Sequence, residues 1–153
     1  MSTEIQPAEK LHKKYAWLII FCLGLLILLS TAFIVLNGAN PPSQFEADTG
    51  VAWADFQHDY PTVATLVSLL ELLVGSAFFA IGLFAITIAV TKYRNGEQWA
   101  WVVLWILPGV LGLAALMFFT HDQAYVGYYY IGLVAIAVLG LLLPVRKFFP
   151  KVG

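Results

Sequence analysis

Four long runs of apolar residues, separated by polar segments, follow one another along the chain. They cover about residues 15–36, 61–91, 99–119 and 125–143. Each run is long enough to cross the hydrocarbon core of a bilayer as a helix, which takes about 20 residues. The runs are continuously apolar, whereas the strands of a membrane barrel alternate apolar and polar residues. This pattern predicts an all-α fold, an integral membrane four-helix bundle.

The polar segments define the connections within one transmembrane domain, residues 15–143. Segment 37–60 is rich in Pro, Gly, Asn and Asp, which predicts an ordered or partly ordered loop. Segments 92–98 and 120–124 predict tight turns, so that the second, third and fourth helices are sequential antiparallel neighbours. Polar tails are predicted at residues 1–14 and 144–153.

Lys and Arg residues set the predicted orientation. All eight lie before the first run, between the second and third runs, or after the fourth run. Because cytoplasmic segments carry an excess of Lys and Arg, both termini are predicted to be cytoplasmic and the loop 37–60 extracytoplasmic. The first run exceeds the apolar core of a signal peptide, about 7–15 residues, so we expect a retained span.

The composition supports lipid as the surroundings of the protein and argues against nucleic-acid, metal and cofactor sites. The chain is 61% hydrophobic and 11% charged, against roughly 25% charged residues in soluble domains. A net charge of −1 gives no basic face for nucleic acid. Cys22 is the single cysteine, and Asp55, His58 and Asp59 lack the spacing of a ligand pair, so we predict neither a metal site nor a cofactor.

Glu71 is the one acidic residue within the apolar runs, in the outer third of the second span. It belongs to a stripe of mostly small residues, which is typical of close helix contact in lipid. The stripe predicts that Glu71 points into the bundle, and that the bulky opposite face meets lipid. The stripe consists of Ala64, Ser68, Glu71, Gly75, Phe78, Gly82, Ala85 and Ala89.

Inward stripes are also predicted on the third and fourth helices. Pro108, in the middle of the third helix, removes a backbone hydrogen bond and predicts a bend there. The stripe of the fourth helix is predicted at Tyr125, Tyr129, Gly132, Ile136 and Gly140.

The candidate ligand-binding residues are Glu71, Trp105, His121 and Tyr125. Glu71 and His121 are predicted at similar depth, where they approach each other directly or through water. Such a pair binds a cation or an amine, or transfers protons. The alternative is structural, with Glu71 fixing the register of its helix and His121 solvated in a turn. Trp105 lines an aromatic pocket or packs in the core.

The stretch LELLVGSAFFAIGLFA, residues 70–85, resembles the second transmembrane helix of the EXPERA (emopamil-binding-protein-like) family. That resemblance implies a four-helix membrane fold, binding of cationic amphiphiles or sterols, and Glu71 as the buried acid. Some members isomerise sterol double bonds, but the acid or His of their first helix has no counterpart here. The stretch YRNGEQWAWVVLWILP, residues 93–108, is similar to the turn between helices in small bacterial DoxX-like proteins, which implies a bacterial inner membrane protein.

Together these features predict a small multi-pass protein that binds a lipophilic or amine-like ligand near Glu71. One alternative is a non-catalytic accessory or assembly subunit of a membrane complex, and another is a membrane enzyme of the sterol-isomerase type. The expected partners are the lipid bilayer, a lipophilic small molecule, and a membrane protein or further copies of this chain.

Overall fold

The structure is a computed structural model that describes residues 7–37, 45–46, 49–121 and 123–149. Parts of the predicted tails and of the predicted loop 37–60, and position 122 in the turn 120–124, lie outside the described residues. Those parts are residues 1–6, 38–44, 47–48, 122 and 150–153.

The described part of the chain is helical and contains no strand. The helices are α1 (Pro7–Asn37), α2 (Trp53–Asp59), α3 (Pro61–Ile88), α4 (Gln98–Leu104), α5 (Ile106–Thr120), α6 (Ala124–Leu142) and α7 (Val145–Phe148). A π-helical turn, Ala89–Tyr93, follows α3.

Four helical stretches are long and apolar enough to cross a membrane. They are Tyr15–Ala32, Pro61–Tyr93, Gln98–Thr120 and Ala124–Phe148. The predicted all-α class with four long apolar helices is therefore confirmed. In addition, α2 occupies part of the segment predicted as a loop.

The chain divides into two compact units. The first comprises Met1–Leu26 and Gly82–Gly153, and the second comprises Ile27–Ile81. Helices α1 and α3 each contribute residues to both units, whereas α4, α5, α6 and α7 belong to the first unit alone.

Two glycines allow the helices of the first unit to pack closely. A Cβ at Gly24 of α1 would lie 3.1 Å from the carbonyl oxygen of Gly82 and 3.2 Å from the Cβ of Ala85, both on α3. A Cβ at Gly140 of α6 would lie 2.7 Å from Cδ1 of Ile20, a fully buried residue of α1. Small residues at these points let the backbones approach, as membrane helices do.

The small-residue stripe of α3 is its shielded face, as predicted. Ala64, Ala85 and Ala89 are at most 2% exposed, and the remaining members are buried or half-buried. On the opposite face, Leu66 and Leu73 are 56% and 66% exposed. Glu71 therefore lies on the shielded side of its helix.

The predicted inward stripe of the fourth helix is wrong for most of its members, although one of them, Gly140, is shielded. Tyr125, Tyr129 and Ile136 are 77%, 49% and 42% exposed. The other shielded positions of α6 include Leu133 and Ala137, which are 5% and 0% exposed. The shielded residues of α6 are Gly127, Leu133, Ala137, Gly140 and Leu141.

The third apolar stretch is interrupted, as Pro108 predicts. It forms two helices, α4 and α5, that meet at Trp105. The amide of Trp105 bonds to the carbonyl of Val102, three residues back, which is a tighter turn than the α-helix makes. The interruption lies three residues before Pro108, where the ring of a proline perturbs the preceding turn.

The second unit contains an aromatic cluster around α2. Trp53 is 6% exposed and lies 4.9 Å, centroid to centroid, from the ring of Phe45. Phe56 contacts both rings, and Tyr60 contacts Phe56. These contacts fix α2 immediately before α3 begins at Pro61.

Candidate functional site

Glu71 lies ten residues after the start of α3, nearly three turns into the helix, in the second unit. Its Oε2 atom is buried and has no hydrogen-bond partner among the described residues. A buried carboxylate oxygen without a partner is costly, because burial removes water and nothing replaces it. Glu71 is therefore an exception to the rule that buried polar atoms in proteins are hydrogen-bonded.

A groove of about 360 Å³ runs along the same part of α3. Ser68, one turn before Glu71, and Leu72, the residue after it, both line this groove. The wall is mixed, with amide and hydroxyl groups beside aliphatic carbons, and its members are Gln57, Pro61, Ala64, Thr65, Ser68, Leu69 and Leu72. We call it the Ser68 groove.

Trp105 is half-buried where α4 meets α5, in the first unit. Its ring packs edge-on against Trp101, with 5.6 Å between centroids. The indole Nε1 is buried without a hydrogen-bond partner among the described residues. The ring of Trp105 thus packs against Trp101, while its indole N–H has no acceptor among the described residues.

His121 and Tyr125 lie at the turn between α5 and α6. His121 is exposed, and its Nδ1 lies 3.0 Å from the carbonyl oxygen of Met117. The same nitrogen lies 3.1 Å from Thr120 Oγ1, so the imidazole ring is held against the end of α5. Tyr125 is 77% exposed. Both side chains are accessible, and neither is held in a closed site.

Three of the four candidate residues, Trp105, His121 and Tyr125, belong to the first unit. Trp105 and His121 flank α5, whose 15 residues separate them by roughly 22 Å at 1.5 Å per residue. No small ligand touches both. Glu71 belongs to the other unit, so the predicted approach of Glu71 to His121 stays a prediction.

The densest polar arrangement lies at the other end of the first unit, where the sequence analysis assigned no site. The Tyr93 hydroxyl donates to the carbonyl of Gly140 at 2.7 Å, and Trp101 Nε1 donates to the carbonyl of Leu141 at 2.9 Å. Residue 144 is a proline, so it has no N–H to offer the Gly140 carbonyl. Tyr93 and Trp101 therefore cap the end of α6, and we call these contacts the α6 cap.

The turn between α3 and α4 is also tied to the C-terminal segment. Lys147 donates through Nζ to the carbonyl oxygen of Arg94. Glu97 accepts from Lys92 at 2.9 Å and from Trp99 Nε1 at 2.6 Å, and these two bonds lower the pKa of its carboxyl group. Gly96 adopts φ +83°, a left-handed conformation that glycine tolerates, within the tight turn predicted over residues 92–98.

One residue in the sequence, Pro144, indicates the α6 cap. Pro144 follows an apolar run and leaves the carbonyl of Gly140, four residues before it, without a helical donor. Comparison of the chain with protein families, with curated proteins and with solved structures finds no match.

Proposed function

We propose that the protein is a multi-pass protein of a bacterial cell membrane, with both termini in the cytoplasm, that binds a lipophilic amine beside Glu71. The membrane location is supported by four long apolar helices whose large apolar side chains are exposed. Water does not tolerate such a surface at this scale, whereas lipid tails match it. Examples are Leu73, Leu113, Leu116, Met117 and Leu139.

The unpartnered Oε2 of Glu71 carries the proposal of a ligand. An ammonium group that reaches this oxygen supplies the missing hydrogen bond and the opposite charge in a low-dielectric setting. The Ser68 groove, which adjoins Glu71 along α3, accepts an alkyl or ring system against Leu69 and Leu72. An amphiphile with a cationic head and an apolar body therefore fits this surface.

Binding of a fluorescent long-chain alkylamine to the purified protein in detergent tests the proposal. Glu71→Gln is expected to weaken binding about tenfold or more, because a charge-assisted bond contributes about 1.5–3 kcal/mol. A neutral amide of the same chain length is the control ligand, and Glu97→Gln, outside the apolar stretches, is the control variant. Equal amine affinity for the wild type and Glu71→Gln would refute the proposal.

Orientation is tested separately in intact cells. In a Cys22→Ser background, a cysteine replaces either Gln57 or Arg146. A membrane-impermeant maleimide is expected to label the first variant in intact cells and the second only after the membrane is opened. The reverse pattern contradicts the proposed topology.

A second candidate, an accessory or assembly subunit, is favoured by open glycines on the helix surfaces. A Cβ built at Gly109, Gly112 or Gly132 meets no atom within 4 Å. Such positions let a further helix approach closely. Gly109→Leu is expected to remove a partner or a second copy from complexes observed by native mass spectrometry, while the fold persists. Since no described residue bonds to Glu71 Oε2, we do not extend the proposal to sterol isomerisation.

A further inference from the structure

Two cations, Arg94 and Lys147, lie at the end of the first unit that carries the α6 cap. The stem of Lys147 lies over Gly96, with Cε 3.1 Å from the position of a Cβ there. Its ammonium group is anchored on the carbonyl of Arg94. The guanidinium carbon of Arg94 lies 5.1 Å from the centroid of the Trp17 ring. Both side chains are thus positioned by the fold.

These two cations have no carboxylate partner among the described residues. The carboxylate of the same turn, Glu97, is already engaged through both oxygens by Lys92 and Trp99. The bond from Lys147 to the backbone carbonyl of Arg94 keeps the two positively charged residues at one end of the unit. Like charges held together in this way cost energy that a bound anion would offset.

We propose that Arg94 and Lys147 bind the phosphate of an anionic phospholipid headgroup. A planar guanidinium beside an ammonium group matches phosphate oxygens, which accept several charge-assisted hydrogen bonds. Val90 and Leu143, each four residues before one of the cations, are 37% and 47% exposed. Exposed apolar side chains therefore lie within four residues of each cation, where the acyl chains of a lipid would lie. This site rests on the proposed membrane location but not on the ligand of Glu71.

Native mass spectrometry of the full chain in a non-ionic detergent tests the site, with phosphatidylglycerol and phosphatidylcholine of identical acyl chains as probes. The wild type is expected to retain phosphatidylglycerol in preference to phosphatidylcholine. Arg94→Gln is expected to weaken phosphatidylglycerol binding about tenfold, the loss that follows from removing one charge-assisted contact. Lys147→Gln is expected to act in the same direction.

Lys92→Gln is the matched control, because it removes one positive charge from the same turn at a residue already paired with Glu97. It is expected to leave phosphatidylglycerol binding within twofold of the wild type. Equal losses in Lys92→Gln and Arg94→Gln would show a general charge effect and overturn the assignment, as would no loss in Arg94→Gln. Displacement of the lipid by millimolar inorganic phosphate would overturn the choice of a lipid.

Two further measurements separate this proposal from others. Thermal unfolding of each variant shows whether a loss of binding reflects a loss of fold, and Arg94→Lys keeps the charge if Arg94→Gln does not fold. Glu71→Gln is expected to keep full phosphatidylglycerol binding. A failure of the amine proposal therefore leaves this result unchanged, and a failure here leaves amine binding unchanged.

Discussion

Replacing Tyr93 with Phe tests how the end of α6 is stabilised. The change removes one hydroxyl group and keeps the ring, which is 1% exposed and lies 4.9 Å from the ring of Phe148. The lost bond is the donation to the carbonyl of Gly140. Because Pro144 has no N–H, no helical donor replaces it.

The expected cost follows from the carbonyl that remains. A buried acceptor left without a donor costs about 1–3 kcal/mol, and the retained ring adds no cavity term. We therefore expect Tyr93→Phe to lower the free energy of unfolding by about 2 kcal/mol, the middle of that range. Tyr128→Phe is the control, since Tyr128 is 69% exposed and its hydroxyl lies outside the packed surface of α6.

A double-mutant cycle with Pro144→Ala identifies the cause. Leu143 keeps helical angles, φ −54° and ψ −43°, so an N–H at position 144 would point back to the carbonyl of Gly140. Tyr93→Phe is then expected to cost at least about 1 kcal/mol less in the Pro144→Ala background. Unfolding in mixed detergent micelles, followed by tryptophan fluorescence and circular dichroism, gives these values. An unchanged cost in the Pro144→Ala background would refute the capping argument.

Two further predictions concern helix contact and the turn. A methyl group at Gly24 would come within 3.0, 3.1 and 3.2 Å of three atoms of α3, so Gly24→Ala is expected to destabilise by about 1–3 kcal/mol in the same unfolding assay. Gly132→Ala, whose methyl group meets no atom within 4 Å, is expected to be neutral or stabilising, and equal losses would contradict the packing. The hydrogen bonds from Lys92 and Trp99 lower the pKa of Glu97 below its ordinary value of 4.5, so their stabilisation is present above that pH and lost as the pH falls through the lowered pKa. A carboxyl titration followed by NMR is expected to show this, with the pKa rising in Trp99→Phe; a pKa at 4.5 in the wild type contradicts it.

The length and continuity of apolar runs predicted the four long helices because these features depend on local sequence alone. The shielded face of α3 was also predictable, because its small residues repeat at steps of three and four while the opposite face is uniformly bulky. Pro108 predicted the interruption near Trp105 for the same local reason.

The face of α6 was not predictable from the same rule. Every side of this helix is apolar, so hydrophobicity does not mark the inward side in a lipid-facing helix. Tyr125 and Tyr129 suggested one side, but aromatics are equally favourable at a membrane interface. Contacts distant in sequence decide the face, and Gly140, which packs against Ile20 of α1, is the one member of the predicted stripe that is shielded.

The polar groups of the α6 cap are hydrogen-bonded, whereas Glu71 Oε2 has no hydrogen-bond partner among the described residues, although both lie within long apolar stretches. At the α6 cap, each donor from Tyr93 or Trp101 meets a carbonyl that the end of a helix has left unpaired. At Glu71, a stronger acceptor has no such partner among the described residues. Apolar surroundings penalise an unpaired carbonyl and an unpaired carboxylate. If Glu71 had a purely structural role, we would therefore expect its oxygens to be paired, as the carbonyls of the α6 cap are. The α6 cap is therefore explained by its structural role, whereas the buried oxygen of Glu71 requires a donor that the described residues do not supply.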